Sequence, residues 1–156
     1  MKFAPGQFAW LKLGGLAPYR DHPFSISSVP EPSGQLRFIV KEAGDFTRAL
    51  PHSASNTVAY IDGPYGNFSI PPSAPAIVML AGGIGIAPFV SLLSDCARRG
   101  ERRPIRLIYA EHDVIQMVSL EALCACAQLA DFRLLPMVEA PDPAWAGLVG
   151  RLDAKG

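Results

Sequence analysis

The segment from Ala76 to Pro88 constrains the fold most strongly, because a continuous apolar run is followed directly by a cluster of glycines. Residues 76–81 read Ala-Ile-Val-Met-Leu-Ala, which is typical of a strand buried on both faces. From Pro88 to Arg99 the apolar residues recur at helical spacing, and Gly100 suits the position just after a helix. With Pro88 in the first helical position, this segment predicts a strand, a tight turn and a helix.

The remainder of the second half continues the alternation of strands and helices. It predicts a strand from Ile105 to Ala110, a helix from about Ser119 to Leu129 and a strand from Phe132 to Val138. Such alternation indicates a parallel sheet with crossover helices. Cys124 and Cys126 lie about 200° apart around the predicted helix, so we expect small core residues and not two ligands of one metal.

The first half is predicted to be all β. Strands are expected at residues 7–13, 24–29, 36–41 and 58–61, where β-branched and aromatic residues mix with alternating polarity. The cluster Gly63-Pro64-Tyr65-Gly66 is expected to be a turn, and residues 45–50 one helical turn that closes at Pro51. This pattern favours an antiparallel barrel or sandwich. We therefore expect two domains, residues 1–71 and 76–156, joined by a proline-rich linker at 72–75.

Charge and hydropathy exclude several classes of protein. The 14 basic and 14 acidic residues balance, and 49% of the chain is apolar, so the chain is neither disordered nor basic enough to attract nucleic acid. No charged residue lies between Asp62 and Asp95, but prolines and glycines divide this stretch into pieces too short to span a membrane. We recognise no signal peptide and expect a cytoplasmic location. Hydrolytic or metal-dependent catalysis is unsupported, since no nucleophile–base pair or metal-spaced cluster stands out.

The glycine segment is the first of three places where chemistry concentrates. Glycines let a backbone turn sharply and approach a phosphate closely, and the N–H groups at a helix start attract anions. The spacing G-x-G-x-x-P matches neither the third-glycine dinucleotide fingerprint nor the lysine-bearing P-loop. A turn that binds nothing is an equally good interpretation of this segment alone.

The second place is the strand that begins at His22. Alternation puts His22 and Phe24 on one side and Ser25 on the other, so a flat cofactor could stack beside the aromatic ring. Taken alone, however, Phe24 is more simply a core residue and His22 a surface one. The third place runs from Lys41 to Thr47, where a helix start, a hydroxyl and a lysine suit a phosphate. The alternative there is an ordinary capped turn.

Together and in this order, the motifs resemble the ferredoxin-NADP reductase superfamily of flavoproteins. The resemblance spans nearly the whole chain and is carried by Pro5-Gly6-Gln7-Phe8, His22-Pro23-Phe24-Ser25, Gly44-Asp45-Phe46-Thr47, Gly63-Pro64-Tyr65-Gly66, the segment from Gly82 to Pro88, and residues 145–151. Many relatives have arginine and tyrosine where His22 and Phe24 stand, so the pattern looks closest to the ferric reductase and NADPH oxidase-like branch. The fold implied is a partial antiparallel FAD-binding β-barrel followed by a partial parallel-sheet NAD(P)-binding domain, apparently truncated at both ends.

The resemblance implies a role for each motif. Phe24 would stack on the flavin, Ser25 would be the catalytic residue beside flavin N5, and His22 would approach the FAD pyrophosphate. The implied FAD-binding residues are His22, Pro23, Phe24, Ser25, Ile26, Ser27, Lys41, Gly44, Asp45, Phe46 and Thr47. The implied residues for the nicotinamide nucleotide are Gly82, Gly83, Gly85, Ile86, Ala87, Pro88 and His112.

The resemblance also implies an activity, in which hydride passes from NAD(P)H to FAD and electrons then pass to haem, an iron–sulfur centre or ferric iron. Glu111-His112-Asp113 stands where NADPH-dependent relatives often have an arginine, which favours NADH slightly, although a solvated loop is the simpler interpretation. A link to a haem-bearing membrane domain in a longer parent protein is compatible with this branch. The alternative function is a flavin- or nucleotide-binding regulatory domain without turnover, or an inactive fragment.

Overall fold

The computed structural model describes residues 1–14, 21–118 and 120–152, which form two lobes. In the N-terminal lobe (residues 1–70) a three-stranded antiparallel sheet has the order β2-β1-β3, and in the C-terminal lobe (residues 77–152) a four-stranded parallel sheet has the order β4-β5-β6-β7. The strands are β1 Phe8–Leu13, β2 His22–Ser25, β3 Ala59–Tyr65, β4 Ile77–Gly82, β5 Ile105–Glu111, β6 Phe132–Val138 and β7 Leu148–Val149. The helices are α1 Asp45–Ala49, α2 Ala87–Arg99 and α3 Leu120–Ala125, with 3-10 turns at Leu50–His52, Gly83–Ile86, Val114–Gln116 and Cys126–Gln128. The predicted fold class is confirmed.

The region after β2 differs from the sequence prediction. The expected strand at 36–41 is reduced to one antiparallel bridge, between Phe38 and Ile26, and β2 itself ends at Ser25. The Ser28 hydroxyl accounts for part of this difference, because it accepts from the Arg37 N–H at 3.1 Å in place of a backbone carbonyl. The Arg37 carbonyl accepts both from the Ser27 N–H at 2.8 Å and from the Ser27 hydroxyl at 2.9 Å. One backbone hydrogen bond between the two segments is therefore kept beside the side-chain bonds.

The predicted turn at 63–66 is also wrong in part. Strand β3 continues through Gly63 and Pro64 to Tyr65, well beyond the expected end at Ile61. Gly63 fits because its backbone passes close to β1, where an added Cβ would lie 3.1 Å from the Cβ of Ala9. Gly63, at φ +149°, and Gly66, at φ +87°, both have a backbone conformation that favours glycine.

The parallel sheet is covered on one face within the described residues. On β4 the side chains of Ile77, Met79 and Ala81 are buried, whereas Val78 is 69% exposed and Leu80 57% exposed. The expectation of a strand buried on both faces is therefore wrong here. The apolar core lies on the face where α2 packs, and it includes Leu93 and Cys96.

Helix α2 begins at Ala87, one residue before the predicted start, so Pro88 occupies the second helical position. The helix ends as predicted, because Gly100 has φ +64° and its N–H donates to the carbonyl of Ala97. Arg98 and Arg99 both pair with Asp95 at 2.7 Å. The helix is thus fixed at its C-terminal end by local interactions.

The predicted helix at 119–129 is shorter in the structure. Ser119 lies outside the described residues, α3 runs from Leu120 to Ala125, and a 3-10 turn follows. Cys126 is buried as expected, but Cys124 is exposed. Residues two positions apart on a helix point about 200° away from each other, so the side chains of Cys124 and Cys126 cannot both face the same core. No helix among the described residues has the length and apolar composition that a membrane crossing requires.

Arg103 holds the proline-rich linker against the C-terminal lobe. Its Nη1 donates to the carbonyls of Pro71, Pro72 and Ala74 at 2.9, 3.3 and 3.0 Å, and its Nη2 lies 2.6 Å from the Glu101 carboxylate. Hydrogen bonds from Arg103 are the main cause that lowers the pKa of Glu101 from 4.5 to about 2. One guanidinium therefore donates hydrogen bonds to three carbonyls in or next to the linker and to one carboxylate.

We expect Glu101→Gln to lower the melting temperature at neutral pH, because the charged partner of Arg103 is lost. Since folding lowers the pKa of Glu101, its contribution is complete above 4.5 and disappears as the pH falls towards 2. Melting temperatures measured across this range should therefore converge for the variant and the wild type. Glu121→Gln, at an exposed position on α3, is the matched control. A difference between Glu101→Gln and wild type that stays constant down to pH 2 would contradict this account of the pair.

Candidate functional site

Strand β2 carries an aromatic cluster that joins two of the predicted places. His22 and Phe24 project to the same side, with ring centroids 6.5 Å apart, as alternation predicts. The ring of Phe46, from α1, stacks on His22 at 4.4 Å and lies 6.1 Å from Phe24. Phe46 is buried, whereas His22 and Phe24 remain partly exposed. The cluster therefore presents a partly open aromatic surface that a planar ligand can contact.

The other predicted residues of this strand serve different purposes. Ser25 is half-buried and lies opposite Phe8 on β1. Ile26 is completely buried, and the Ser27 hydroxyl is used by the Arg37 carbonyl. The side chains of Ile26 and Ser27 therefore support the fold in this structure. Pro23 is exposed and lies opposite Trp10.

The start of α1 is organised by Thr47. Its Oγ1 accepts hydrogen bonds from the N–H groups of Ala43 and Gly44, at 2.8 and 2.9 Å, and donates one to the Gly44 carbonyl at 2.9 Å. This hydroxyl thus fixes the backbone of the turn. Asp45 pairs with Arg48 at 2.8 Å on the exposed side of the helix, and Lys41 is exposed.

The glycine segment between β4 and α2 exposes backbone and buries side chains. Gly82 and Gly85 are exposed, whereas Ile86 and Ala87 are buried in the lobe. Gly83 has φ +55°, a conformation that favours glycine. Pro88 follows within the first turn of α2. The exposed surface of this segment therefore combines glycine backbone with the side chain of Ile84, which is 37% exposed.

Three glycines in the predicted places are not required by the fold. Gly44 and Gly82 have extended backbone, with φ −173° and −116°, and Gly85 is not among the glycines with positive φ. A Cβ added at any of the three would meet no protein atom within 4 Å. The contrast is Gly6, where an added Cβ would lie 1.9 Å from the Phe68 carbonyl oxygen. Open space above an unrestricted glycine backbone is what close approach of a phosphate needs.

A cleft of about 180 Å³ lies at the carboxyl ends of the parallel strands. It is lined by Gly82, Gly83, Ala110, Glu111, His112, Glu139, Arg151 and Leu152. The predicted residue His112 thus meets the glycine segment, and the cleft has the position at which open parallel sheets bind ligands. Glu139 and Arg151 are not among the predicted site residues. The signal for Glu139 was its position directly after the strand Phe132–Val138.

Carboxylates dominate the electrostatics of this cleft. Glu111 is only 8% exposed, and the hydroxyl of Tyr109 donates to its Oε1 at 3.4 Å. Burial, the largest cause, raises the pKa of Tyr109 to about 12, so this hydroxyl stays protonated and able to donate. Glu139 lies 3.6 Å from both His112 Nδ1 and Arg151 Nε. The cleft thus combines acceptors for hydroxyl groups with one cation.

Within residues 1–14, 21–118 and 120–152, no group of three or more His, Cys, Asp or Glu side chains could hold a metal ion. The described site instead consists of an aromatic surface, open glycine backbone in two places and a carboxylate-lined cleft. These features suit planar and phosphorylated organic cofactors.

Comparison with known proteins finds a family match in each half of the chain. Residues 1–69 match the family described as FAD-binding domain, and residues 79–155 match the family described as oxidoreductase NAD-binding domain. The chain is 35% identical to the 2-halobenzoate 1,2-dioxygenase electron transfer component of Burkholderia cepacia, over 91% of this chain and 43% of that protein. It is 28% identical to the mitochondrial ferric reduction oxidase 8 of Arabidopsis thaliana, over 70% of this chain and 17% of that protein. The chain thus spans less than half the length of these relatives.

A solved structure gives the same result. The ferredoxin NADP+ reductase of Neisseria gonorrhoeae, with bound FAD and NADP, superposes with a TM-score of 0.74 at 25% identity, over 96% of this chain and 62% of that one. Since relatives of both the oxygenase and the ferric reductase kind are found, the expected branch stays a prediction. With both family matches in order along the chain and this shared fold, the protein belongs to the ferredoxin-NADP reductase superfamily.

Proposed function

We propose that this chain is the electron-transfer core of an FAD-dependent NAD(P)H oxidoreductase. The observation that carries the proposal is the set of three glycines, Gly44, Gly82 and Gly85, whose backbone the fold leaves open and unrestricted. They lie in the segments that the resemblance assigns to the phosphates of FAD and of the nicotinamide nucleotide. When bound, the flavin would accept a hydride at N5 from the nicotinamide and release electrons one at a time to an acceptor.

On the flavin side, the chain supplies an aromatic surface and a hydroxyl. Phe24 would face the ring system, and its contact with Phe46 holds it in place. His22, stacked on the same Phe46, would approach the pyrophosphate. Ser25 would donate a hydrogen bond near flavin N5. Thr47 would act indirectly, because its hydroxyl bonds the Gly44 N–H and so fixes the turn.

On the nucleotide side, residues 82–88 would hold the pyrophosphate through backbone N–H groups. Glu111 and Glu139, at the ends of β5 and β6, suit ribose hydroxyls and disfavour a 2′-phosphate. His112 would lie against the same part of the nucleotide. We therefore propose NADH as the preferred donor.

The relatives suggest the class of acceptor. One is named as an electron transfer component of a dioxygenase and another as a ferric reduction oxidase. A one-electron centre is the common element, so we propose that haem, an iron–sulfur centre or ferric iron accepts the electrons. A cytoplasmic location, and a link to a haem-bearing membrane domain in a longer parent protein, belong to the same proposal.

The proposal is tested by exchanging the open glycines one at a time. Gly44→Ala should weaken FAD binding, and Gly85→Ala should weaken NADH binding, each by about 10-fold or more, because a methyl group would occupy the path of a phosphate. Neither change should alter thermal unfolding much, since no protein atom lies within 4 Å of either added Cβ. Equilibrium titrations with FAD and with NADH measure both affinities, and each variant is the control for the other. Equal affinities in wild type and both variants would contradict the assignment of these two places.

Ser25→Ala should slow flavin reduction by NADH about 10-fold to 100-fold, since a hydrogen bond to the reacting centre is removed. FAD should remain bound, because the aromatic and backbone contacts are unchanged. Anaerobic stopped-flow absorbance of the flavin band measures the rate, and Ser25→Thr, which keeps the hydroxyl, should retain most of it. An unchanged rate in the alanine variant would remove Ser25 from the reaction.

A further inference from the structure

A buried serine joins the two lobes. Ser91, in the second turn of α2, is completely buried. Its hydroxyl donates to the Pro88 carbonyl at 2.9 Å and accepts a hydrogen bond from the backbone N–H of Gly6 at 3.0 Å. Pro88 and Gly6 are 82 residues apart and belong to different lobes. One hydroxyl therefore connects the first turn of α2 to the N-terminal lobe.

The partner side of this contact is rigid. Gly6 is buried with φ +89°, and an added Cβ would overlap the Phe68 carbonyl oxygen at 1.9 Å and lie 3.4 Å from Leu92 Cδ2. The backbone of Gly6 is thus confined between Phe68 and helix α2. In this position the Gly6 N–H donates to the Ser91 hydroxyl at 3.0 Å.

In the N-terminal lobe, the residue after Gly6 is hydrogen-bonded to the segment that carries Ser25. The Gln7 carbonyl accepts from the N–H of Ile26 at 2.9 Å, and Ile26 directly follows Ser25. The Gln7 side chain fixes the same turn, since its Oε1 accepts from Ala4 N–H and its Nε2 donates to the Gly66 carbonyl. The Gly6 turn and the Ser25 strand therefore form one hydrogen-bonded unit.

In the C-terminal lobe, the Ser91 hydroxyl is bonded to the residue that ends the glycine segment. The Pro88 carbonyl, which Ser91 holds, lies in the first turn of α2 immediately after the 3-10 turn Gly83–Ile86. Ile86 and Ala87 are buried, so this turn moves with the helix. A short series of bonded groups thus runs from the glycine segment through Ser91 and Gly6 to Ile26.

We infer that Ser91 is a positioning residue, which fixes the separation between the glycine segment and the strand that carries Ser25. The inference rests on the proposed function, in which nicotinamide and flavin must meet between these two elements. Reaction between two bound groups depends steeply on their separation, and a displacement of about 1 Å can cost roughly 100-fold in rate. Ser91 would thus set the rate of hydride transfer without touching either cofactor.

Ser91→Ala is the direct test. It leaves the buried N–H of Gly6 without its acceptor and frees Pro88 from the lobe contact. We expect the limiting rate of flavin reduction by NADH to fall about 10-fold to 100-fold, while the dissociation constants of FAD and NADH change less than about 3-fold. The long-wavelength absorbance of the nicotinamide–flavin complex should weaken together with the rate.

A second readout does not depend on turnover. Amide hydrogen exchange of the chain without cofactors should rise in Ser91→Ala both at residues 4–8 and at residues 83–88, because the bond that couples them is lost. Cys96→Ala is the matched control. It also shortens a buried side chain of α2, by removing a thiol, but Cys96 lies in the core of the C-terminal lobe. We expect its effects to be confined to that lobe. Ser91→Cys, which fills the same space with a weaker acceptor, keeps the test open if the alanine variant does not fold.

The outcomes separate the two proposals. If NADH reduces the wild-type flavin and Ser91→Ala behaves like Cys96→Ala in rate and exchange, the positioning role is wrong and the proposed function stands. If NADH fails to reduce the wild-type flavin, the proposed function fails, while the exchange experiment still decides whether Ser91 couples the lobes. Coupled exchange together with a slower rate at unchanged affinity would establish the role.

Discussion

Helix α2 is the element on which the rest of the structure depends. Its apolar face forms much of the core of the C-terminal lobe, its first turn fixes the glycine segment, and its Ser91 holds the N-terminal lobe. In the proposed role, α2 would fix the distance between two cofactors, because it belongs to the core of one lobe and bonds to the other through Ser91. The cofactors supply the redox chemistry, and the protein supplies orientation and separation.

The glycines show how a fold and a binding surface can be distinguished. Gly6 and Gly63 have positive φ and lie close to other protein atoms, so the fold itself accounts for them. Gly44, Gly82 and Gly85 have neither a positive φ nor a neighbour that would exclude a side chain. We propose that a bound phosphate accounts for them, which agrees with the matches to FAD-binding and NAD-binding domain families over the two lobes.

Much of the fold could be predicted from local patterns. The strand, glycine turn and helix around Gly82 were evident because the apolar run, Pro88 and Gly100 all agree. The shortened strand at 36–41 was not predictable from periodicity, since the Arg37 N–H bonds to the Ser28 hydroxyl and not to a backbone carbonyl. Likewise the Ser91 contact joins residues 85 apart in sequence, and no local pattern predicts it.

We propose that the two lobes bring a flavin and a nicotinamide nucleotide together. The most direct measurement adds excess FAD to the purified chain, removes free flavin, and follows the visible spectrum during anaerobic titration with NADH and then NADPH. We expect the chain to retain flavin and NADH to bleach it at a lower concentration than NADPH. Retained flavin that neither nucleotide bleaches, or a chain that retains no flavin, would contradict it.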